Sequence, residues 1–229
     1  MKKMISLLVV VLMGFTATFA QSAKELAKQQ KELNEINMKM LNAKPSKDAK
    51  KQAKAYKKDG WQVPIGEPAM EKGITKSMLL AEELMTNEEG ATTKRYLQHT
   101  GSATSGSYNT GYAAARAACM TEVAGMLETN LGAAWKNVLD NAEMSAVSSV
   151  TNDKFNQRAM GIIKQSLTNS IPMLVIYRVL PNNQYQVSVR LAFDKKEIAA
   201  QLKRNLKKEL EMDGDKLDGM VEDMMCKDL

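Results

Sequence analysis

His99 is the only histidine in the chain, and this removes whole classes of chemistry. A paired-histidine zinc site, HExxH included, needs two imidazoles. A Ser-His-Asp arrangement would have to use His99, and no GxSxG elbow exists to present the serine. On a strand, His99 shares a face with Leu97 and Gly101 and reads as a structural side chain. Gly101 and Gly106 have GxxxxG spacing, but Ser107 and Tyr108 stand where a phosphate-binding loop needs Lys and then Ser or Thr. The cation is missing. The glycines therefore predict a strand-to-helix turn with a close backbone approach. The helix start near Asn109 and Thr110 retains the general attraction of unpaired N–H groups for anions.

Two further groups of side chains have the types for chemistry but not the setting. Glu82, Glu83, Glu88 and Glu89 could supply cooperating carboxylates, yet they fall on a polar helix end with no apolar pocket to separate their pKa values. They read as surface. The tail MDGDKLDGMVEDMMC resembles a calcium loop only briefly: counting from Asp213, Leu217 stands where an oxygen ligand belongs and Asp218 where glycine is required. Met220, Met224, Met225 and Cys226 could bind copper(I), but with Leu217 and Val221 they also form an ordinary amphipathic stripe, and core packing is the expectation. No metal or cofactor is expected. Cys119 and Cys226 are the only two cysteines; Cys119 lies mid-helix in an apolar register, which favours a buried free thiol over a disulfide.

The strongest charge signal is basic. Lys44, Lys47, Lys50, Lys51, Lys54, Lys57 and Lys58 crowd one segment, whereas acidic residues from Glu209 to Asp228 crowd the end. Such charge runs are usually solvated faces; the functional alternative is contact with an anionic surface through Lys47, Lys50, Lys51, Lys54, Lys57 and Lys58. Few aromatics interleave the lysines, which disfavours nucleic acid.

The chain opens with Lys2 and Lys3, an apolar run from Met4 to about Phe15, and small residues ending at Ala20. That is the pattern of a secretory signal peptide cut near Ala20, and it predicts a periplasmic or secreted protein. Removing Lys2 and Lys3 with that segment lowers the formal charge from +6 to +4. No cysteine follows the cut, so lipid attachment there is not expected. Nucleotide chemistry is disfavoured by the same compartment.

The elements that must position these groups follow from periodicity. Leu26, Leu33 and Met40, seven apart with Ile36 between, form the apolar face of a helix that suits a partner. The lysine-rich stretch reads as a second, exposed helix closing at Asp59-Gly60, so residues 21–60 are expected to form a basic helical arm. Residues 61–212 read as the folded domain and 213–229 as an acidic, Met-rich amphipathic tail. Within the domain, WQVPIGEP is a connector, and Ile74 through Met85 a short helix. Thr92 to about Thr104 reads as a strand, and Tyr112–Leu131 as a helix lined with alanine. IPMLVIYRVL and YQVSVRLAF form a hairpin about PNNQ. Asp194 is placed to cap a last long helix with Ile198, Leu202, Leu206 and Leu210 in line. Two strands alone are marginal, so the strand at 92–104 is expected to join the hairpin. The fold class is α+β: a small antiparallel sheet of about three strands, helices packed on one face, and an N-terminal helical arm.

The order KRYLQHTGSATSGSYNTGYAAARAACMTEVAGML, the 155–167 helix, then LVIYRVL and YQVSVRLAF resembles the Lpp-twenty-like family of bacterial envelope lipoproteins. That family is related to the N-terminal domain of the flagellar assembly protein T. The likeness covers about residues 50–200 and rests on packing motifs. It implies a non-catalytic envelope protein and offers no catalytic residues. The chain departs from the lipoproteins in lacking the lipid-bearing cysteine. The functional expectation is an exported protein-interaction or structural module that meets an envelope protein through Leu26, Leu33 and Met40. The alternative is a binder of anionic envelope polymer or lipid headgroups through the lysines. A third reading, an envelope hydrolase, has no residue to rest on.

Overall fold

The computed structural model describes residues 31, 44–86, 90, 92–141, 152–210 and 214–226, with some side chains near the ends of these stretches left out. The chain divides into two units, Met1–Lys44 and Pro45–Leu229. The signal-peptide pattern and the Leu26, Leu33 and Met40 face lie outside the described residues.

The second unit is α+β. Its elements run α1 (Lys47–Lys58), α2 (Met70–Ala81), β1 (Leu84–Thr86), β2 (Thr92–Lys94), β3 (Tyr96–Ser105), α3 (Tyr108–Asn141) and α4 (Asn152–Ser166). A 3-10 turn (Leu167–Asn169) leads into β4 (Ile171–Val179), β5 (Tyr185–Asp194), α5 (Lys195–Leu210) and α6 (Gly214–Cys226). β3, β5 and β4 form an antiparallel sheet in that order, so the strand read at 92–104 does join the hairpin. It is interrupted at Arg95. Before the break, β2 pairs with β1 in a separate two-stranded ribbon, which places Leu84 and Met85 on a strand rather than on the end of a helix.

The hairpin is set by its loop. Leu180 N–H donates to Gln184 O at 2.8 Å and Asn183 N–H donates to Leu180 O at 2.9 Å, leaving Pro181, Asn182 and Asn183 as the loop. Asn183 takes φ 59°, the left-handed conformation that asparagine tolerates and that ends a three-residue hairpin loop.

Alternation along the strands separates two faces. Leu97, Val175, Val187, Val189, Leu191 and Phe193 point to the main core, which α3 to α6 complete with Trp135, Leu127, Ile163 and Leu202. The tail beyond residue 213 belongs to this core: Leu217, Met220, Val221, Met224 and Met225 are all buried in α6. On the opposite face Leu174 and Ile176 pack against Ala49, Ala53, Met70 and Ile74 of α1 and α2. The expectation of helices on one face only is thus corrected. Ala49 and Ala53, at the i and i+4 positions of a lysine-rich helix, give α1 a narrow apolar seam that a glance at its charge conceals. The helix α1, expected as part of the arm at residues 21–60, belongs to the unit Pro45–Leu229.

Charged groups close the ends of the helices. The Asp194 carboxylate accepts from the N–H groups of Lys196 and Glu197 at 2.9 and 3.4 Å, capping α5 as expected. Next to it, the buried Lys195 ammonium donates to Met225 O at 3.0 Å, in the last turn of α6.

Candidate functional site

α1 is built to present lysine. Ser46 Oγ caps its start by accepting from Ala49 N–H at 3.0 Å. Gly60, at φ 82°, ends it with its N–H donating to Lys57 O at 3.2 Å. At 100° per residue, Lys47, Lys50, Lys51, Lys54, Lys57 and Lys58 fall within an arc of about 120°. Ala49, Ala53 and Tyr56 fall on the opposite side. All six lysines are exposed, while Ala49 and Ala53 are fully buried. The structure therefore brings together the six lysines that the sequence singled out, along a helix about 18 Å long. They stand on a docked helix rather than on a free arm.

One of the six has an identified counter-charge. Lys57 Nζ donates to Glu71 Oε1 at 2.5 Å. This ammonium, with a smaller contribution from Lys50, holds the Glu71 carboxyl below its ordinary value. The apolar side of α1 is spent on the protein, so the helix has no greasy face to insert in a bilayer. What remains is a row of mobile point charges, suited to many anionic groups rather than to one shaped ligand.

A second concentration of chemistry lies at the hairpin end of the sheet. Tyr108 and Tyr112 of α3 stack at 6.3 Å, Tyr108 meets Tyr177 of β4 edge-on at 5.3 Å, and Tyr177 lies 6.2 Å from Tyr185 of β5. These are four of the six tyrosines in the chain. Burial, with the Glu67 carboxylate nearby, pushes the Tyr108 hydroxyl up. Val179, beside Tyr177 and paired with Tyr185, is 54% exposed, and Ile65 on the connector is fully exposed. Across the sheet edge Arg178 lies over Trp61 at 4.9 Å. This cluster is not apparent from periodicity. Its signal was the spacing of four residues between Tyr108 and Tyr112, together with tyrosines at both hairpin shoulders.

The glycine stretch is a strand-to-helix turn that packs closely on α3. Ser107 Oγ accepts from Thr110 N–H at 3.3 Å and donates to Thr110 Oγ1 at 2.9 Å, so the turn supplies its own cap for α3. Gly101 lies directly under Ala115 and Cys119. His99 Nε2 pairs with the Glu122 carboxylate on α3. Glu83 and Asp194 both bind Arg95, at 2.9 and 2.8 Å, so Glu83 is a structural ion-pair partner, while Glu88 and Glu89 lie outside the described residues. Among the described residues no group of three or more His, Cys, Asp or Glu could hold a metal ion. No described helix is long and apolar enough to cross a membrane.

Cys119 is fully buried, and its thiol donates to His99 O at 3.4 Å. Burial pushes the thiol up, so little thiolate forms at neutral pH. In a Cys226→Ser background, Cys119 is expected to resist alkylation in the native protein and to react fully in denaturant, read by mass spectrometry. Rapid native labelling would show that the α3–β3 contact opens.

No family model and no curated protein matches the chain. The class that fold and site define is therefore drawn from the molecule itself: an α+β domain whose outer helix displays a basic face.

Proposed function

We propose that this protein is an exported, non-catalytic envelope component that rests on an anionic, phosphate-bearing surface through the lysine face of α1. The observation that carries this reading is the segregation of six exposed lysines opposite a docked Ala49–Ala53 seam. Export rests on the Met1–Ala20 pattern, and the envelope setting on the likeness to Lpp-twenty-like proteins. Near an anionic membrane each lysine contributes about 1 kcal/mol, falling off within a Debye length of about 8 Å at physiological salt. A row of such charges gives reversible, salt-sensitive attachment without insertion.

Vesicles of phosphatidylglycerol and phosphatidylcholine, pure phosphatidylcholine vesicles, and soluble polyphosphate test this reading and distinguish its two sources of phosphate. Co-sedimentation with the anionic vesicles, or binding to polyphosphate, is expected to weaken steeply with salt. Converting Lys50, Lys51 and Lys54 to Gln is expected to reduce affinity roughly 100-fold, three lysines' worth. Salt-independent binding, or binding untouched by the triple substitution, defeats the proposal.

A second reading, contact with an envelope protein, draws on the tyrosine cluster. Half-buried tyrosines beside exposed Val179 and Ile65 have the amphipathic character typical of protein interfaces. Crosslinking in intact cells with Tyr112→Ala and Tyr185→Ala variants separates it from the first, since these changes leave the lysines in place.

A further inference from the structure

The two edges of the sheet are treated differently. Lys195 N–H donates to Arg95 O at 2.9 Å, continuing the β3–β5 register one pair beyond Tyr96↔Asp194. In an antiparallel ladder the bonded pairs alternate, so the odd-numbered residues of β3 turn their backbone groups toward β5. The hairpin supports the same parity from the other side. Leu180 and Gln184 are a bonded pair, so even-numbered residues of β5 serve β4 and odd-numbered ones serve β3. The N–H and C=O groups of Gln98, Thr100, Ser102 and Thr104 therefore point away from the sheet.

On β4 the outward groups of Tyr177 are covered. Gln62 and Tyr177 exchange both backbone bonds, at 2.8 and 2.9 Å, and Pro172 interrupts the same strand. On β3 no such cover exists among the described residues. Thr100, Ser102 and Thr104 are exposed, and the strand carries no Lys, Arg, Asp, Glu or Pro between Tyr96 and Ser105. The charges and prolines that usually blunt an edge strand are thus absent from β3 itself.

We propose that this open edge pairs antiparallel with the same edge of a second copy, joining two three-stranded sheets into one of six. A second copy is complementary to this edge. A two-fold axis near Ser102 sets Thr100 of each copy opposite Thr104 of the other, and such hydroxyl pairs are favourable across strands. No like charges on the strand oppose one another. A charged partner strand would find no counter-charge on β3, and the neighbouring Arg190 guanidinium already donates to Thr100 Oγ1 at 3.1 Å and Ser77 Oγ at 3.2 Å. The helix above allows the approach. Arg116 of α3 reaches Ser170 at the β4 side, so the side turned toward the β3 edge carries Ala114, Ala118 and Gly125 near Glu122. A Cβ on Gly125 would meet nothing within 4 Å. This pairing is independent of the lysine face and of the tyrosine cluster.

Analytical ultracentrifugation of the full chain tests it. A concentration-dependent dimer is expected for the unaltered protein. Ser102→Pro removes one outward N–H while leaving the bonds to β5 intact, and it is expected to give a monomer with an unchanged circular dichroism spectrum. Because a proline can disturb its strand, the Thr100→Lys/Thr104→Lys pair provides a second route: it sets ammonium against ammonium across the axis and is expected to raise the dimer dissociation constant at least tenfold. Hydrogen exchange adds a signature specific to this edge. The Thr100, Ser102 and Thr104 amides should become protected as concentration rises, while the Gly101 and Ala103 amides are protected throughout. An unaltered chain that stays monomeric, or a dimer indifferent to both variants, overturns the proposal.

Discussion

Gly101→Ala is expected to destabilise the protein by about 3 kcal/mol or more, lowering its midpoint of thermal unfolding by roughly 6–12 °C. A Cβ at this position would stand 2.1 Å from Ala115 O, 2.6 Å from Cys119 N and 2.8 Å from Cys119 Cβ. Two of these are backbone atoms of α3, so relief requires the whole helix to lift from β3. The buried contacts of Val123, Leu127 and Leu131 further along α3 would loosen with it. Gly106→Ala is the matched control. Nothing lies within 4 Å of its Cβ position, and its effect should stay within about 0.5 kcal/mol. Equal melting temperatures for the two variants would contradict the packing described for this turn.

Asp194→Ala is expected to cost about 3 kcal/mol in chemical denaturation. Three elements meet at this carboxylate. It ends β5 and caps α5. It also accepts from Arg95 Nε and Nη2, at 3.0 and 2.8 Å. The cap contributes about 1 kcal/mol, and the charged hydrogen bonds to Arg95 about 2 more. Burial alone would lower the Arg95 guanidinium; Asp194, with Glu83, outweighs it and raises the group above its ordinary value. Asp194→Asn retains a capping oxygen and loses the ion pair, so it should fall about midway. Glu83→Gln should cost under about 1 kcal/mol, because that carboxylate is 36% exposed and screened by water. A result in which Asn is as damaging as Ala would assign the cost to the ion pair alone.

Much of this arrangement was legible in the residues because it is written in local patterns. Alternation in YQVSVRLAF gave a two-faced strand. The tetrapeptide PNNQ gave the hairpin, Asp194 the cap, and the glycines before an alanine run the close approach of helix to sheet. What periodicity does not carry is the choice between faces. Ala49 and Ala53 are small enough to be overlooked among lysines, yet they seat α1 on Leu174 and Ile176. Arg95 breaks a threonine-rich run that reads as one strand, because its side chain is held by Glu83 and Asp194, the latter ninety-nine residues away. The six lysines share one exposed side of α1, but the alanine seam beneath them was not apparent. The tyrosine cluster joins β4, β5 and α3 across long sequence separations, and only the fold assembles it.

Asp194 and Lys195 are adjacent in the chain and opposite in charge, and each faces the end of a different helix. The carboxylate meets the electropositive start of α5, and the ammonium meets the electronegative finish of α6. Their order, rather than their presence, thus matches each charge to the helix end it meets. Reversing the two letters would keep composition and net charge intact while setting like against like at both junctions.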